Sequence, residues 1–157
     1  MDLYCSLCEP PEGVCCGKKD ILTFKFLIKK ILRERERAES RGQPATLTLM
    51  QYLEALEYFS KSVDGNRVWA CTYCGLSTSK LSIDHWQAIW TGGGTTQDNC
   101  VPSCLDCNTA KGSMSGDEFF AMLIHRFEAE GAAARYAWAQ QYFSTVRAGA
   151  SALTLLD

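Results

Sequence analysis

The densest run of chemically informative residues lies at positions 71–108: CTYCGLSTSKLSIDHWQAIWTGGGTTQDNCVPSCLDCN. It opens with one Cys-x-x-Cys pair and closes with another, and 29 residues separate Cys74 from Cys104. Two such turns supply four thiolates, the ligand set of a closed structural zinc site that leaves no position for a substrate. A redox centre, the rival interpretation, needs only one pair and a βαβ context that this sequence lacks. We therefore predict one zinc ion held by Cys71, Cys74, Cys104 and Cys107.

The segment between the two cysteine pairs is longer than a simple zinc ribbon requires, and it contains Asp84, His85 and Asn99. A neutral imidazole can take a proton from water near neutral pH, and a carboxylate is a hard oxygen ligand for Mg²⁺. Asn108 directly follows a cysteine of the predicted zinc site, which would hold its amide oxygen in place. Each residue alone also has an ordinary structural role, but together they predict a hydrolytic metal centre.

The composition is that of one globular domain. The chain has 157 residues, of which 46% are hydrophobic and 22% charged, enough to bury a core of its own. Its apolar runs are too short to cross a bilayer. No basic segment followed by an apolar one opens the chain, so we expect a cytoplasmic protein. Nine cysteines are many for a reducing compartment, and their odd number favours metal binding over complete disulfide pairing.

The charge is unevenly distributed. The net charge is −2, yet residues 18–41 carry nine basic and four acidic residues, a local excess of +5. A basic helix on an acidic body predicts contact with nucleic-acid phosphates. The alternative is a solvated helix face on which Arg and Glu residues pair at helical spacing. The candidate DNA contacts are Lys29, Lys30, Arg33 and Arg37, with Lys111 further along the chain.

The hydrophobic pattern predicts an α+β fold that is mostly helical, with a small β-hairpin at its chemical centre. A capping box, Ser115-x-x-Glu118, marks the start of one helix, and Asp64-Gly65-Asn66 marks the end of another. The Gly-rich segment 91–96 is a loop by composition. The predicted helices span about 22–39, 48–63, 115–130 and 133–147, and the predicted strands 67–70 and 81–85.

His85, Asn99 and Asn108, at these spacings, resemble the signature of the HNH, or ββα-metal, endonucleases. The Asp-His pair, the Gly-rich loop and the run Cys-x-x-Cys-Asn-x-x-Lys-Gly from Cys104 to Gly112 are similar to the zinc-stapled branch of that family. That branch includes phage junction-resolving nucleases and small HNH restriction enzymes. The resemblance covers roughly residues 47–115.

The resemblance implies a β-hairpin followed by a helix and a DNA-cleaving, metal-dependent activity. Asp84 and Asn108 would hold one Mg²⁺ or Mn²⁺ ion, His85 would be the general base, and Asn99 would support the loop or the imidazole. Asn108 stands where many members carry His, which bears on metal preference. Asp84 and His85 are neighbours, and neighbours in a regular strand point to opposite faces. Both can serve one site only if the strand ends, twists or bulges there.

The N-terminal cysteines suggest a second zinc site, although adjacent cysteines seldom both bind one ion. Cys100 is an alternative fourth ligand, and a tail with free thiols is the competing interpretation. The predicted site is Cys5, Cys8, Cys15 and Cys16. The predicted regions are a Cys-rich zinc knuckle at 1–20, a partly basic helical region at 21–63, the HNH core at 64–116 and C-terminal helices at 117–157.

The sequence supports a metal-dependent HNH endonuclease acting on DNA, of the restriction or phage-encoded kind. A zinc-dependent DNA-binding or scaffold module without cleavage is the main alternative, and RNA is an alternative substrate. We expect no membrane association, and a homodimer is compatible with the sequence. Trp86 and Trp90 are predicted to belong to the core rather than to a base-stacking surface, and His125 is predicted to be structural.

Overall fold

The computed structural model describes residues 18–156. The predicted zinc knuckle at Cys5, Cys8, Cys15 and Cys16 therefore lies outside the described residues. Among them the chain forms an α+β fold dominated by helices, as predicted. The elements are α1 Lys18–Glu39, α2 Leu49–Tyr58, β1 Lys61–Val63, β2 Asn66–Val68, β3 Ser82–His85, β4 Cys100–Ser103, α3 Leu105–Lys111, α4 Gly116–His125 and α5 Ala132–Arg147, with short 3₁₀ turns at Ile89–Thr91, Gln97–Asn99 and Ala152–Leu155.

The centre of the fold is the antiparallel hairpin β3–β4, and α3 follows it directly. Asp84 pairs with Val101 and His85 with Cys100 in the register of this hairpin. All four residues of β4 are buried, as are the last three of β3. The hairpin is thus enclosed on both faces, and the long connection 86–99 between its strands lies at the end where Asp84 and His85 sit.

The second helix is shorter than predicted. Its start is fixed by a capping box in which the Thr48 hydroxyl accepts from the Gln51 N–H and the Gln51 side chain accepts from the Thr48 N–H. The chain leaves the helix after Tyr58 and forms the β1–β2 hairpin instead of continuing to residue 63. Asp64 and Gly65 both have positive φ, 49° and 80°, which suits the tight two-residue turn of a hairpin. The predicted strand at 67–70 is accordingly replaced by Asn66–Val68.

The C-terminal helices pack aromatic side chains against Trp86, the residue directly after β3. The Ser115–Glu118 capping box starts α4 as predicted, but the helix ends at His125 rather than at residue 130. The Gly116 N–H donates to the Trp86 carbonyl at 2.7 Å, and a Cβ on Gly116 would lie 2.2 Å from the Trp86 ring. Because only glycine permits this approach, the start of α4 is held directly against the residue after β3.

One buried hydrophobic cluster joins these elements, from Leu27 in α1 to Ala152 beyond α5. Tyr58 of α2 stacks on Trp138 of α5 with ring centroids 4.4 Å apart, and its hydroxyl donates to the Trp138 carbonyl. None of the helices in the part of the chain that the structure describes is both long and apolar enough to cross a membrane.

Candidate metal centre and adjoining polar cavity

Four cysteines converge at the open end of the β3–β4 hairpin. The sulfurs of Cys71, Cys74, Cys104 and Cys107 all lie within 4.8 Å of one another, and Cys74 Sγ lies 3.7 Å from Cys104 Sγ. Tetrahedral zinc with Zn–S bonds of about 2.3 Å places its sulfurs about 3.8 Å apart. The cluster therefore could hold a metal ion such as zinc.

The backbone around the cluster supports thiolate ligands. The Cys107 N–H donates to Cys104 Sγ and the Leu76 N–H donates to Cys74 Sγ, each at 3.4 Å. The Cys107 thiol, with additional backbone donors, lowers the pKa of Cys71 to about 4. Metal-bound cysteines are deprotonated, so donors that favour the thiolate also favour metal binding.

A polar cavity of about 400 Å³ lies between β3, α3 and the first part of the long connection, and it brings together three of the four predicted catalytic residues, without Asn99. Asp84 and His85 of β3 line it together with Asn108 of α3. β3 ends at His85, which is one of the conditions under which neighbours can face one site. The remaining lining residues are Arg37, Ile83, Ala88, Ile89, Trp90, Lys111, Gly112 and Ser113.

Asp84 is a buried carboxylate held by two side chains. The Tyr73 hydroxyl donates to Oδ2 at 2.5 Å, and the Lys111 ammonium lies 3.5 Å from Oδ1. Burial raises the pKa of Asp84, and the charge of Lys111 opposes this rise. A further cation beside the carboxylate would favour its ionised form. Its donor chemistry thus suits a divalent ion.

Lys111, a predicted phosphate contact, has an almost fully buried side chain, with 1% of its surface exposed. Its ammonium donates to the His85 carbonyl at 2.8 Å in addition to pairing with Asp84. The burial of a charged amine is tolerated because both partners are fixed by the hairpin. Lys111 therefore ties α3 to β3 at the wall of the cavity.

The hydrogen bonds of His85 define its tautomer. Nε2 lies 2.9 Å from Thr95 Oγ1, and the single Thr95 hydroxyl hydrogen is donated to the Glu34 carbonyl at 2.9 Å. Thr95 must then accept from His85, so the network assigns the ring hydrogen to Nε2 and a lone pair to Nδ1. Within residues 18–156, Nδ1 has no hydrogen-bond partner. Burial, with the charges of Arg37 and Lys111, lowers the pKa of His85 to about 4.

Asn99 fastens the long connection rather than the imidazole. Its Oδ1 accepts from the Gln87 N–H, while its Nδ2 donates to the carbonyls of Gln87 and Gly94 at 3.0 and 2.8 Å. Gly93 packs against the residues that Asn99 joins, and a Cβ on it would lie 1.8 Å from the Gln87 carbonyl oxygen. Asn99 was expected to support either the loop or the imidazole, and its hydrogen bonds are with the loop.

The predicted DNA-contacting residues of α1 fall into two groups. Lys29 and Arg33 are exposed. Lys30 is half-buried and donates to the Leu81 carbonyl at 2.6 Å. Arg37 pairs with Glu34 at 2.6 Å, keeps 54% of its side chain exposed and lines the cavity. Arg37 is therefore the member of this set that adjoins His85.

Residues 71–114 match the family model described as HNH endonuclease. This range holds both cysteine pairs and all four predicted catalytic residues, so the resemblance noted in the sequence is confirmed for this segment. The match covers less than half of the chain and supports a nuclease-type function in general terms. Comparison with curated proteins and with solved structures gave no match.

Sequence reasoning missed two residues of the site. Tyr73, inside the first Cys-x-x-Cys pair, binds Asp84, and Thr95, in the Gly-rich loop, binds His85. Neither position carries a signal beyond its closeness to a motif. The prediction for Trp90 was wrong: this residue is 70% exposed, whereas Trp86 is buried as expected. Cys100 is buried in β4, and His125 is exposed at the end of α4.

Removing one cysteine of the cluster should release its metal ion. We expect Cys107→Ser to lose one metal ion per chain by elemental analysis and to lower the melting temperature strongly, because structural zinc sites supply about 10–16 kcal/mol in small zinc peptides. Cys100→Ala, which removes a buried thiol outside the cluster, is the matched control and should keep the metal. Equal metal content in Cys107→Ser and the wild type would contradict the assignment.

The Thr95 hydroxyl should control the His85 tautomer. Thr95→Val keeps the shape of the side chain but leaves Nε2–H without an acceptor, so we expect a mixture of tautomers. Thr95→Ser should retain the Nε2–H form. Imidazole ¹⁵N chemical shifts report the tautomer, and His125, the only other histidine, serves as an internal reference. An unchanged His85 spectrum in Thr95→Val would show that the hydroxyl has no such role.

Proposed function

We propose that the protein is a divalent-metal-dependent HNH endonuclease that hydrolyses phosphodiester bonds in DNA. The observation that carries the proposal is one cavity in which a neutral, oriented His85 adjoins Asp84 and Asn108. An imidazole whose Nε2–H is occupied offers Nδ1 as a base, and a carboxylate with a neighbouring amide suits a hard cation. The match of residues 71–114 to HNH endonucleases supports the same chemistry.

Two kinds of metal ion fit this arrangement. Zinc would be held by Cys71, Cys74, Cys104 and Cys107 and would have a structural role, since four thiolates leave no open position. Mg²⁺ or Mn²⁺ would be held by Asp84 and Asn108. When bound there, the ion supplies Lewis-acid stabilisation of charge on the phosphate and the leaving oxygen.

The protein's own groups would prepare the attacking water. His85 Nδ1 would accept the proton of a water molecule aligned with the scissile phosphorus, and the resulting imidazolium would remain bonded to Thr95 through Nε2–H. Lys111 would fix the His85 carbonyl and the Asp84 carboxylate, which keeps base and metal ligand in register. Attack with loss of the 3′ oxygen would leave a 5′-phosphate and a 3′-hydroxyl.

DNA would approach from the side of α1. Arg37 lines the cavity, and the exposed Lys29 and Arg33 lie on earlier turns of the same helix. Cations on one helix would bind successive phosphates without reading the sequence. The whole chain has a net charge of −2 and residues 18–41 carry +5, so the rest of the chain carries −7 and would repel the polyanion. This helix is therefore the natural approach.

His85→Ala should abolish most cleavage. General-base catalysis contributes about 10²- to 10⁴-fold, and we expect a loss of this order in a plasmid-cleavage assay with Mg²⁺ or Mn²⁺. His125→Ala changes the other, exposed histidine and should cleave like the wild type. Full activity of His85→Ala would refute the general-base role, and a wild type inactive on both DNA and RNA would favour the scaffold alternative.

Cleavage should persist at unusually low pH. A general base works in its neutral form, so activity is present above the pKa of His85 and is lost as the pH falls through it. Because that pKa is lowered from 6.5 to about 4, the acid limb should lie well below 6.5. The assay is the initial rate against pH at saturating Mg²⁺, with circular dichroism at each pH to confirm folding. Because Asp84 must also be ionised to hold the metal ion, the His85 imidazole ¹⁵N shifts are followed over the same pH range. An acid limb at 6.5 or above that coincides with titration of His85 would contradict a buried, neutral His85.

A further inference from the structure

Trp90 presents an exposed aromatic ring at the mouth of the cavity. It lies in the 3₁₀ turn Ile89–Thr91 and is 70% exposed, yet it lines the same cavity as His85 and Asn108. An exposed aromatic ring at the edge of a polar cavity can stack on the base of a nucleic acid that enters the cavity.

One face of the Trp90 ring is already covered by a cation. The Arg41 guanidinium carbon lies 3.3 Å from the ring centroid, an arrangement stabilised by the ring's quadrupole. Trp90 is nevertheless 70% exposed, so the opposite face of its ring and the ring edges are open to solvent. The pair therefore offers a flat aromatic face backed by a positive charge.

The turn that carries Trp90 is firmly held. The neighbouring residues Ala88 and Ile89 are buried, and the N–H groups of Thr91 and Gly93 both donate to the Ala88 carbonyl at 3.0 Å. In addition to the hydrogen bonds of Asn99, the Thr95 N–H donates to the Pro44 carbonyl at 2.8 Å. A preorganised ring loses little conformational entropy when a ligand stacks on it.

The surroundings of the ring define the ligand. Arg41 on the ring and Arg37 on the cavity wall supply two cations beside an exposed π-face. Aromatic faces beside cations are the chemistry that binds single-stranded nucleic acid, with bases stacked on rings and phosphates near the charges. Inside a continuous duplex both faces of each base are covered by its neighbours, so a paired internal base cannot stack in this way, whereas an unpaired base can.

We infer that Trp90, Arg41 and Arg37 form a platform for an unpaired DNA base next to the phosphate that enters the cavity. The inference rests on the proposed function for the identity of the ligand. It makes the preferred substrate a DNA with an unpaired nucleotide at the cleavage point rather than an unbroken duplex.

The test is a binding measurement that needs no cleavage. Fluorescence anisotropy without added divalent ions would compare a labelled continuous duplex with the same duplex carrying one unpaired nucleotide. The wild type should bind the second more tightly, and Trp90→Ala should weaken that binding by roughly tenfold, the size expected for one stacked base. Trp90→Phe retains a ring and should recover most of the preference.

Phe127 provides a matched control. It is 59% exposed, Arg126 lies over its ring at 5.7 Å, and it does not line the cavity. Phe127→Ala should bind both DNAs like the wild type. The inference is overturned if the wild type binds the two DNAs equally, or if Trp90→Ala weakens both by the same factor.

The outcome is separable from that of the proposed function. Loss of the preference in Trp90→Ala supports the platform even if no cleavage is found with any metal ion. If cleavage depends on His85 but DNA binding does not depend on Trp90, the proposed nuclease function is supported and the platform is refuted.

Discussion

The convergence of four cysteine sulfurs is the constraint on which the rest of the site depends. Cys71 and Cys74 precede β3, whereas Cys104 and Cys107 follow β4 and begin α3, and all four sulfurs meet within 4.8 Å. Their meeting closes the open end of the hairpin and fixes the direction in which α3 departs. Asn108 and Lys111 take their places from that direction, since they lie on the first turns after Cys107. A short hairpin and a two-turn helix would have little stability of their own.

The second organising feature is a buried ion pair in the wall of the cavity. Lys111 and Asp84 are both buried, 3.5 Å apart, and each has a further partner in a backbone carbonyl or a tyrosine hydroxyl. Leaving either charge alone would be costly, so the pair holds α3 and β3 together as a unit. Burial of His85, with the charges of Arg37 and Lys111, lowers the pKa of its imidazole. Lys111 therefore both joins α3 to β3 and favours the neutral imidazole that the proposed chemistry requires.

The first helix links the basic surface to the interior of the site. Its Glu34 carbonyl accepts a hydrogen bond from the Thr95 hydroxyl, and that hydroxyl is hydrogen-bonded to His85 Nε2. Arg37, on the next turn of the helix, lines the cavity. The same helix end leads to Arg41, which covers Trp90. A segment that the sequence marks only as basic thus contributes to the position of the imidazole, to the charge of the cavity and to the exposed ring at its mouth.

By itself, the sequence determined the four cysteines of the cluster, the mostly helical α+β class and the family resemblance, because cysteine spacing, hydrophobic periodicity and the Asp-His pair are local signals. The Ser115–Glu118 box and the strand containing Asp84 were readable for the same reason. Only the tertiary structure decided the end of α2, the burial of Lys111, the exposure of Trp90 and the partners of Asp84 and His85. These depend on groups far apart in the chain, such as Thr95 with Glu34 and Lys111 with His85. Whether a polar side chain points into a cavity or into water is set by what packs against it, which periodicity and composition do not encode.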